Sequence, residues 1–242
     1  MKKILFVASF FLLLTASIFA QESSFYDAPF GGGVGFTPFW IVPKVSNLNS
    51  QLNVINYPQI KTSGFYSSGF SGFIYLGIVK NLRVGGLAFG GSSSSKLSEN
   101  LIQKETIFSL NGGGVTAEYT LPFIHVFALS IGVILGGGSM QVNVYKNSGG
   151  TEWNEVLSDA SNPLSSFLNR KLKESYWIFS PTLNADIPAY RMLSFRVGVG
   201  YQFTFWNKWS YDNSIDLYNV PSGIGGKSFF IQAGIFIGLF SF

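Results

Sequence analysis

The chain of 242 residues is poor in charge: 12% of its residues are charged, 17% are aromatic and 28 are glycines. A soluble protein of this size usually carries about 25% charged residues, and the formal net charge of +4, of which Lys2 and Lys3 supply two, is too small to indicate binding to nucleic acid. The chain has no cysteine, which excludes disulfide bonds, thiol nucleophiles and thiolate metal sites.

The beginning of the chain has the pattern of a secretory signal peptide. Residues 1–3 (Met-Lys-Lys) form a basic head, residues 4–14 are apolar, and residues 16–20 (Ala-Ser-Ile-Phe-Ala) suit a cleavage site. The apolar stretch is too short to cross a bilayer as a helix. We therefore predict a signal peptide over residues 1–20 and a single mature domain over residues 21–242.

The remaining chain predicts strands that cross a membrane. None of its segments reaches the ~18 consecutive apolar residues of a transmembrane helix. In residues 193–205 every second residue is apolar, and polar residues such as Arg196 and Gln202 lie between them. Eight strands are predicted: Gly31–Val42, Gly64–Val79, Leu82–Gly91, Lys104–Thr120, His125–Val144, Glu174–Ile187, Leu193–Trp206 and Lys227–Phe242.

The predicted connections alternate in length. Short turns at one rim and long loops at the other are typical of bacterial outer-membrane barrels, whose turns face the periplasm. Two glycine runs, Gly112–Gly114 and Gly136–Gly138, predict β-bulges or bends where the register changes. The short connections are residues 80–81, 121–124 and 188–192, and the long ones are residues 43–63, 92–103, 145–173 and 207–226.

Two of the long loops contain helical patterns. Apolar residues recur at helix-like intervals over Val45–Ile55. Asn162-Pro163 is a typical helix start, and a second apolar stripe of Leu164, Phe167, Leu168 and Leu172 follows it. Each predicted helix either packs over the barrel mouth as a cap or plugs and gates the lumen.

Aromatic residues mark the predicted membrane boundaries. Trp40, Trp177 and Trp206 lie at the loop-side ends of their strands. Amphipathic rings favour the two lipid–water interfaces of a membrane. We therefore predict that these three residues belong to an interfacial aromatic belt.

Four charged residues form the most specific polar set. Arg83, Glu118, Asp186 and Arg196 each lie close to a predicted periplasmic turn, and strand alternation points them into the barrel. Neighbouring strands would bring Arg83 next to Glu118 and Asp186 next to Arg196. A charge inside a narrow barrel is costly unless it is paired. The set is predicted to be a structural ion-pair network, with a charged constriction of a small pore as the alternative.

Other candidate sites are weak. His125 is the single histidine, so it cannot build a multi-histidine metal site, and the glycine runs lack the lysine that follows in a phosphate-binding loop. Arg170, Lys171 and Lys173 form a basic trio that is either a solvated face or a contact to anionic lipopolysaccharide. We predict no catalytic residue, metal or cofactor.

The end of the chain carries a resemblance to a known family. Its last predicted strand ends in Phe240 and Phe242, and together with the Gly-rich segments this resembles small bacterial outer-membrane β-barrel proteins. The resemblance implies that the barrel-assembly machinery reads Phe240 and Phe242 during insertion. It also implies an all-β fold in which residues 21–242 form an outer-membrane β-barrel domain, a closed antiparallel eight-stranded up-and-down transmembrane barrel with short helices in its long loops. A soluble lipocalin-like barrel is the alternative fold.

The predicted size of the barrel limits its function, because side chains can fill the interior of eight strands. We predict a non-enzymatic outer-membrane protein with a structural or surface-interaction role through its extracellular loops. The alternative is a narrow channel or carrier for a small solute or apolar molecule, gated by a loop helix. The predicted partners are outer-membrane lipid, lipopolysaccharide, the assembly machinery and an extracellular partner, without nucleic acid.

Overall fold

An antiparallel sheet makes up most of the computed structural model, which describes residues 31–99, 102–122, 127–147, 152–154, 158, 168–190, 192–212 and 215–240. No α-helix in these ranges is long and apolar enough to cross a bilayer. The elements are β1 (Gly31–Phe36), β2 (Phe39–Pro43), α1 (Ser46–Val54), β3 (Phe65–Tyr75), β4 (Leu82–Glu99), β5 (Ile102–Thr120), β6 (Ala128–Asn147), β7 (Leu168–Tyr190), β8 (Leu193–Tyr211), β9 (Ile215–Asp216) and β10 (Ser228–Phe240).

The sheet closes on itself through its last strand. β10 pairs with β8 on one side and with β1 and β2 on the other, and both β1 and β2 also pair with β3. From β3 to β8 each strand pairs with the next one in the chain. Because β1 and β2 share one position and the short β9 only extends the edge of β8, the ring has eight positions. The predicted all-β, eight-stranded antiparallel barrel is confirmed.

The first predicted strand, Gly31–Val42, is interrupted at Thr37 and Pro38. Proline has no backbone N–H to donate to a sheet, so the ladder breaks there. Hydrogen bonds from Thr37 N to Gly69 O (2.8 Å) and from Ala233 N to Pro38 O (3.0 Å) still hold the segment between its two neighbours. The ring therefore stays closed across the break.

Three predicted loops are wrong in part, because strands continue where loops were expected. In the predicted loop of residues 207–226, β8 continues to Tyr211. β4 and β5 pair through residues 92–103 as far as Glu99 opposite Ile102, and β6 and β7 pair through Asn143–Lys171 and beyond. Serine, asparagine and lysine replace apolar residues in these extensions. A strand that leaves the lipid no longer needs an apolar outer face, so the loss of hydrophobicity marks the membrane boundary and not the strand end.

One of the two predicted loop helices is present. α1 confirms the pattern of Val45–Ile55, and it buries Leu48 and Leu52. The second prediction is wrong for Leu168 and Leu172, which lie in β7. Residues 162–167, where that helix was expected to begin, lie outside the described residues.

The glycine runs of β5 and β6 were expected to be bulges, and this is wrong. The register between the two strands is continuous, with Gly112 opposite Gly138 and Gly114 opposite Gly136. A Cβ atom on Gly112 would lie 2.8 Å from atoms of both Phe89 and Ile178. The glycines therefore make room for large interior side chains instead of shifting the register.

The outer surface is apolar and the inner surface is mixed, as the alternation predicted. Facing outward are Phe70 and Ile74 of β3, Val115 of β5, Ile131 and Leu135 of β6, Phe179 and Leu183 of β7, Val197 and Phe203 of β8, and Ile231 and Ile235 of β10. Water would contact all of these side chains in a soluble protein, whereas a lipid bilayer shields them. The fold is that of an outer-membrane-type β-barrel.

Candidate functional site

The four predicted charged residues meet inside the barrel near its turn end, the end that carries the connections at residues 76–81 and 121–127. Arg83 Nε lies 2.5 Å from Glu118 Oε2, and Arg83 Nη1 lies 2.5 Å from Asp186 Oδ2. Arg196 Nε lies 2.6 Å from Asp186 Oδ1, and its Nη1 lies 3.2 Å from Glu118 Oε1. Each arginine thus bridges both carboxylates, so the two expected pairs form one network, here called the charged floor.

The folding of four strands explains this geometry. Arg83 of β4 lies opposite Glu118 of β5, and Asp186 of β7 lies opposite Arg196 of β8, all on inward-facing positions. The barrel curvature then brings the two strand pairs together across the lumen. The four residues are at most 5% exposed. With two positive and two negative charges, the floor has no net charge to leave uncompensated away from water.

Neutral polar groups complete the floor, and sequence reasoning did not single them out. Arg83 Nη2 donates to Ser130 Oγ (3.0 Å), and Asn184 Nδ2 donates to Glu118 Oε1 (3.0 Å). Gln232 Nε2 in turn donates to Asn184 Oδ1. The alternation in β6, β7 and β10 predicts that Ser130, Asn184 and Gln232 face inward. It does not predict how deep in the barrel they lie.

Two aromatic rings cover the guanidinium groups. The Arg83 Cζ atom lies 4.7 Å from the centre of the Phe73 ring, and the Arg196 Cζ atom lies 4.6 Å from the centre of the Phe236 ring. Such cation–π contacts stabilise a desolvated cation by about 2 kcal/mol. Phe236 is 1% exposed, so this side of β10 faces the interior at Phe236.

The other half of the lumen is filled by apolar side chains. One buried cluster contains these side chains of the barrel wall: Phe39, Ile41, Phe65, Phe108, Leu110, Ile134, Met140, Val142, Ile178 and Phe230. α1 closes the loop end, because Val45, Leu48 and Leu52 belong to the same cluster. Asn49 fixes the chain that follows α1, since its side chain accepts from Ile60 N (2.8 Å) and donates to Ile60 O (2.9 Å).

Little empty space remains between the two halves. A cavity lined by side chains of the floor and of the apolar cluster, among them Glu118, Ile134 and Arg196, has a volume of about 10 Å³. This is room for about one water molecule. The side chains of the floor and of the apolar cluster therefore lie close together at this level.

Glu174 lies at the loop end of β7, beyond Trp177 and therefore outside the membrane-spanning part of the strand. It is fully buried, and its Oε1 accepts a hydrogen bond from Asn207 Nδ2 (2.5 Å). Burial raises the pKa of Glu174 to about 7, although the Gly226 backbone, Asn207, the Trp209 indole and the charge of Lys227 act in the opposite direction. The loop of residues 217–227 lies against this carboxyl group at Gly225 and Gly226, and α1 holds the same loop through the bond from Asn47 Nδ2 to Ser222 O (3.0 Å).

The raised pKa makes the closure of this loop pH-dependent. When the loop opens, Glu174 meets water and its pKa returns toward 4.5, so the closed form holds more protons between pH 4.5 and 7. Closure is strongest below this window and weakens as pH rises through it, by up to about tenfold per pH unit. We expect the rate of amide hydrogen exchange in residues 217–227, corrected for intrinsic rates, to increase as pH rises through this window. Glu174→Gln should abolish the pH dependence, and an unchanged pH dependence in that variant would contradict the assignment.

The predicted interface aromatics lie on the outer surface. Trp40, Trp177 and Trp206 are all exposed at the loop-side ends of their strands, and Trp40 Nε1 donates to Ser63 O (3.0 Å). The side chains of Phe240 and Phe242, and all of His125, lie outside the described residues. Among the described residues, no group of three or more His, Cys, Asp or Glu side chains could hold a metal ion.

Comparison with known proteins shows similarity of structure but not of sequence. No family model matches the chain, and no curated protein matches it. Among solved structures, the attachment invasion locus protein Ail of Yersinia pestis, in complex with the heparin analogue sucrose octasulfate, is 8% identical, with 87% of this chain and 99% of that chain covered and a TM-score of 0.42.

Two further solved structures are similar over most of their length. A major outer membrane protein from Thermus thermophilus is 6% identical, with 86% of this chain and 99% of that chain covered and a TM-score of 0.48. CarO2 of Acinetobacter baumannii is 9% identical, with 85% of this chain and 98% of that chain covered and a TM-score of 0.34. At these values no function is transferred from any of the three.

Proposed function

We propose that this chain is a bacterial outer-membrane protein whose barrel has no continuous pore and whose role is structural or one of surface interaction. Membrane insertion is supported by the apolar outer surface and by the exposed Trp40, Trp177 and Trp206. The role is non-enzymatic, and contact with an outside partner is made by the long strands and loops of the loop end. Outer-membrane lipid surrounds the barrel.

The observation that carries this proposal is the filled lumen. An ion or solute would have to pass the charged floor, where Arg83 and Arg196 each hold Glu118 and Asp186, and then the apolar cluster that α1 closes. Separating these buried ion pairs would leave uncompensated charge away from water, which is strongly unfavourable. The filled interior supports a role on the surface over the alternative of a gated channel or carrier.

The route to the membrane is part of the proposal. Residues 1–20 act as a signal peptide that directs the chain to the periplasm. Phe240 and Phe242 at the end of the chain are then recognised by the barrel-assembly machinery. With the short turns in the periplasm, α1 and the extended hairpin of β4 and β5 lie outside the cell.

Planar-bilayer conductance of the refolded protein tests the proposal. We expect no discrete current steps from a sample that a heat-shifted gel mobility shows to be folded. Arg196→Ala serves as the matched variant, because it opens the charged floor without changing the outer surface. Current steps in the wild-type protein that change in amplitude or selectivity in Arg196→Ala would overturn the proposal and establish a lumenal pathway.

A further inference from the structure

A bulge near the loop end of β8 changes which side chains face outward. Ser175 lies opposite Lys208 and Trp177 lies opposite Phe205, so that Trp206 and Asn207 together face a single residue of β7. Trp206 has a φ of +52°, in the left-handed region that a residue other than glycine rarely adopts. Such a conformation persists only where the surrounding structure enforces it.

The bulge reverses the alternation of β8. Before it, Gln202 and Thr204 face inward, so an uninterrupted strand would also direct position 208 into the barrel. Beyond it, Asn207 reaches inward to Glu174, whereas the Lys208 side chain is 74% exposed. The bulge thus places Lys208 on the outer surface, directly beyond the exposed Trp206.

Two lysines of β7 lie beside Lys208 on the same outer face. Lys171 and Lys173 have the outward parity of Trp177, and both are exposed. Lys173 lies opposite Ser210, so it is the diagonal neighbour of Lys208, about 7–8 Å away. Arg170, which the sequence grouped with them, has the opposite parity and is engaged with Asp212 at 2.7 Å.

The heights of Lys173 and Lys208 match a lipid headgroup layer. A strand rises about 3.3 Å per residue and tilts by about 40° in a membrane barrel, so Lys208 and Lys173 lie roughly 5 and 10 Å beyond Trp206 and Trp177. The headgroup layer extends about 5–7 Å beyond the hydrocarbon core. Flexible lysine stems bring both ammonium groups to this layer.

The charge of this patch is only partly balanced. Lys208 Nζ lies 3.3 Å from Asp216 Oδ1 in an exposed pair, which contributes little. In the described ranges no carboxylate pairs with the side chain of Lys171 or Lys173. Directly below the patch, Phe179 and Phe203 pack with ring centres 6.3 Å apart and face the lipid.

We propose that Lys173 and Lys208 bind the phosphate groups of a phosphorylated lipid in the external leaflet, while Trp177 and Trp206 flank its headgroup. The inference rests on the proposed membrane placement. A lipid fits better than a soluble anion because the lysines are exposed on the outer face of the barrel, and because the apolar strip of the same two strands continues below them for the acyl chains.

Native mass spectrometry of the full chain in detergent micelles tests this proposal, with bisphosphorylated lipid A as the probe. We expect the double variant Lys173→Gln/Lys208→Gln to lose between about tenfold and 30-fold in affinity. The control Lys61→Gln/Lys96→Gln removes two other exposed lysines and should change the affinity by less than about twofold. Dephosphorylated lipid A should bind both double variants and the wild type equally.

Three outcomes would overturn the headgroup site. They are an unchanged affinity in Lys173→Gln/Lys208→Gln, an equal loss in the control variant, and displacement of the lipid by inorganic pyrophosphate at the same concentration, which would show a free-phosphate site. Failure of the membrane placement is seen separately, because the wild-type protein would then lack a heat-shifted mobility and would not co-float with phosphatidylcholine vesicles.

Discussion

Replacing Arg83 by methionine is expected to destabilise the barrel by about 3–5 kcal/mol, since it leaves Glu118 and Asp186 to share one guanidinium group in a site shielded from water. Arg83 is 1% exposed and contacts both carboxylates at 2.5 Å. Methionine keeps much of the volume and the contact with Phe73, so the loss reports charge and not a cavity. Unfolding by urea in lipid vesicles, followed by tryptophan fluorescence, measures the effect.

Two controls make the result specific. Arg170→Met removes an exposed arginine whose partner is Asp212 and should cost less than about 1 kcal/mol. Adding Glu118→Gln to Arg83→Met restores the neutrality of the charged floor. The double variant should therefore lose less unfolding free energy than the two single variants lose in sum. Equal stability of Arg83→Met and Arg170→Met would refute the network as a source of stability.

Replacing Gly136 by alanine is expected to destabilise the barrel by about 1–3 kcal/mol, through overpacking between β5 and β6. Its added Cβ would overlap the carbonyl oxygen of Gly113, and it would lie 2.6 Å from Gly114 Cα. Both are backbone atoms that cannot rotate away, so the two strands must separate. The same urea unfolding experiment measures the loss.

Gly137→Ala is the matched control, one residue along the same strand. The nearest atom to its added Cβ is Tyr176 O at 3.7 Å, an ordinary contact on the outer face. Alanine there also reduces the entropy of the unfolded chain, so the variant should be as stable as wild type or slightly more stable. If both variants lost stability equally, the close approach of β5 and β6 would not be the cause.

The charged floor was accessible to sequence reasoning because two simple rules converge on it. Arg83 and Glu118 each lie within three residues of a short turn, and antiparallel pairing places them side by side. Parity then gives the direction of each side chain. The rules could not show that Arg83 also reaches Asp186, because that contact spans the lumen and depends on the curvature of the closed ring.

The lengths of the strands and the bulge of β8 could not be predicted from the sequence in this way. Hydropathy reports where a strand leaves lipid, so it ended β4 at Gly91, although pairing continues to Glu99. The bulge at Trp206 lacks a glycine or asparagine at the left-handed position, the usual sequence signal. Glu174 was expected at a strand end, and its burial follows from residues 217–227, whose fold has no periodic pattern.

The charged floor also bears on the order of assembly. Its four charged residues, together with Ser130 and Asn184, come from β4 to β8, which are consecutive in the chain and paired in sequence. Their charges can therefore be neutralised within an open sheet before β10 meets β1. Phe73 of β3 lies in the same run of paired strands, and β10 adds Gln232 and the ring of Phe236 when it pairs with β8. The incomplete barrel can thus enter the bilayer without carrying an unpaired charge across it.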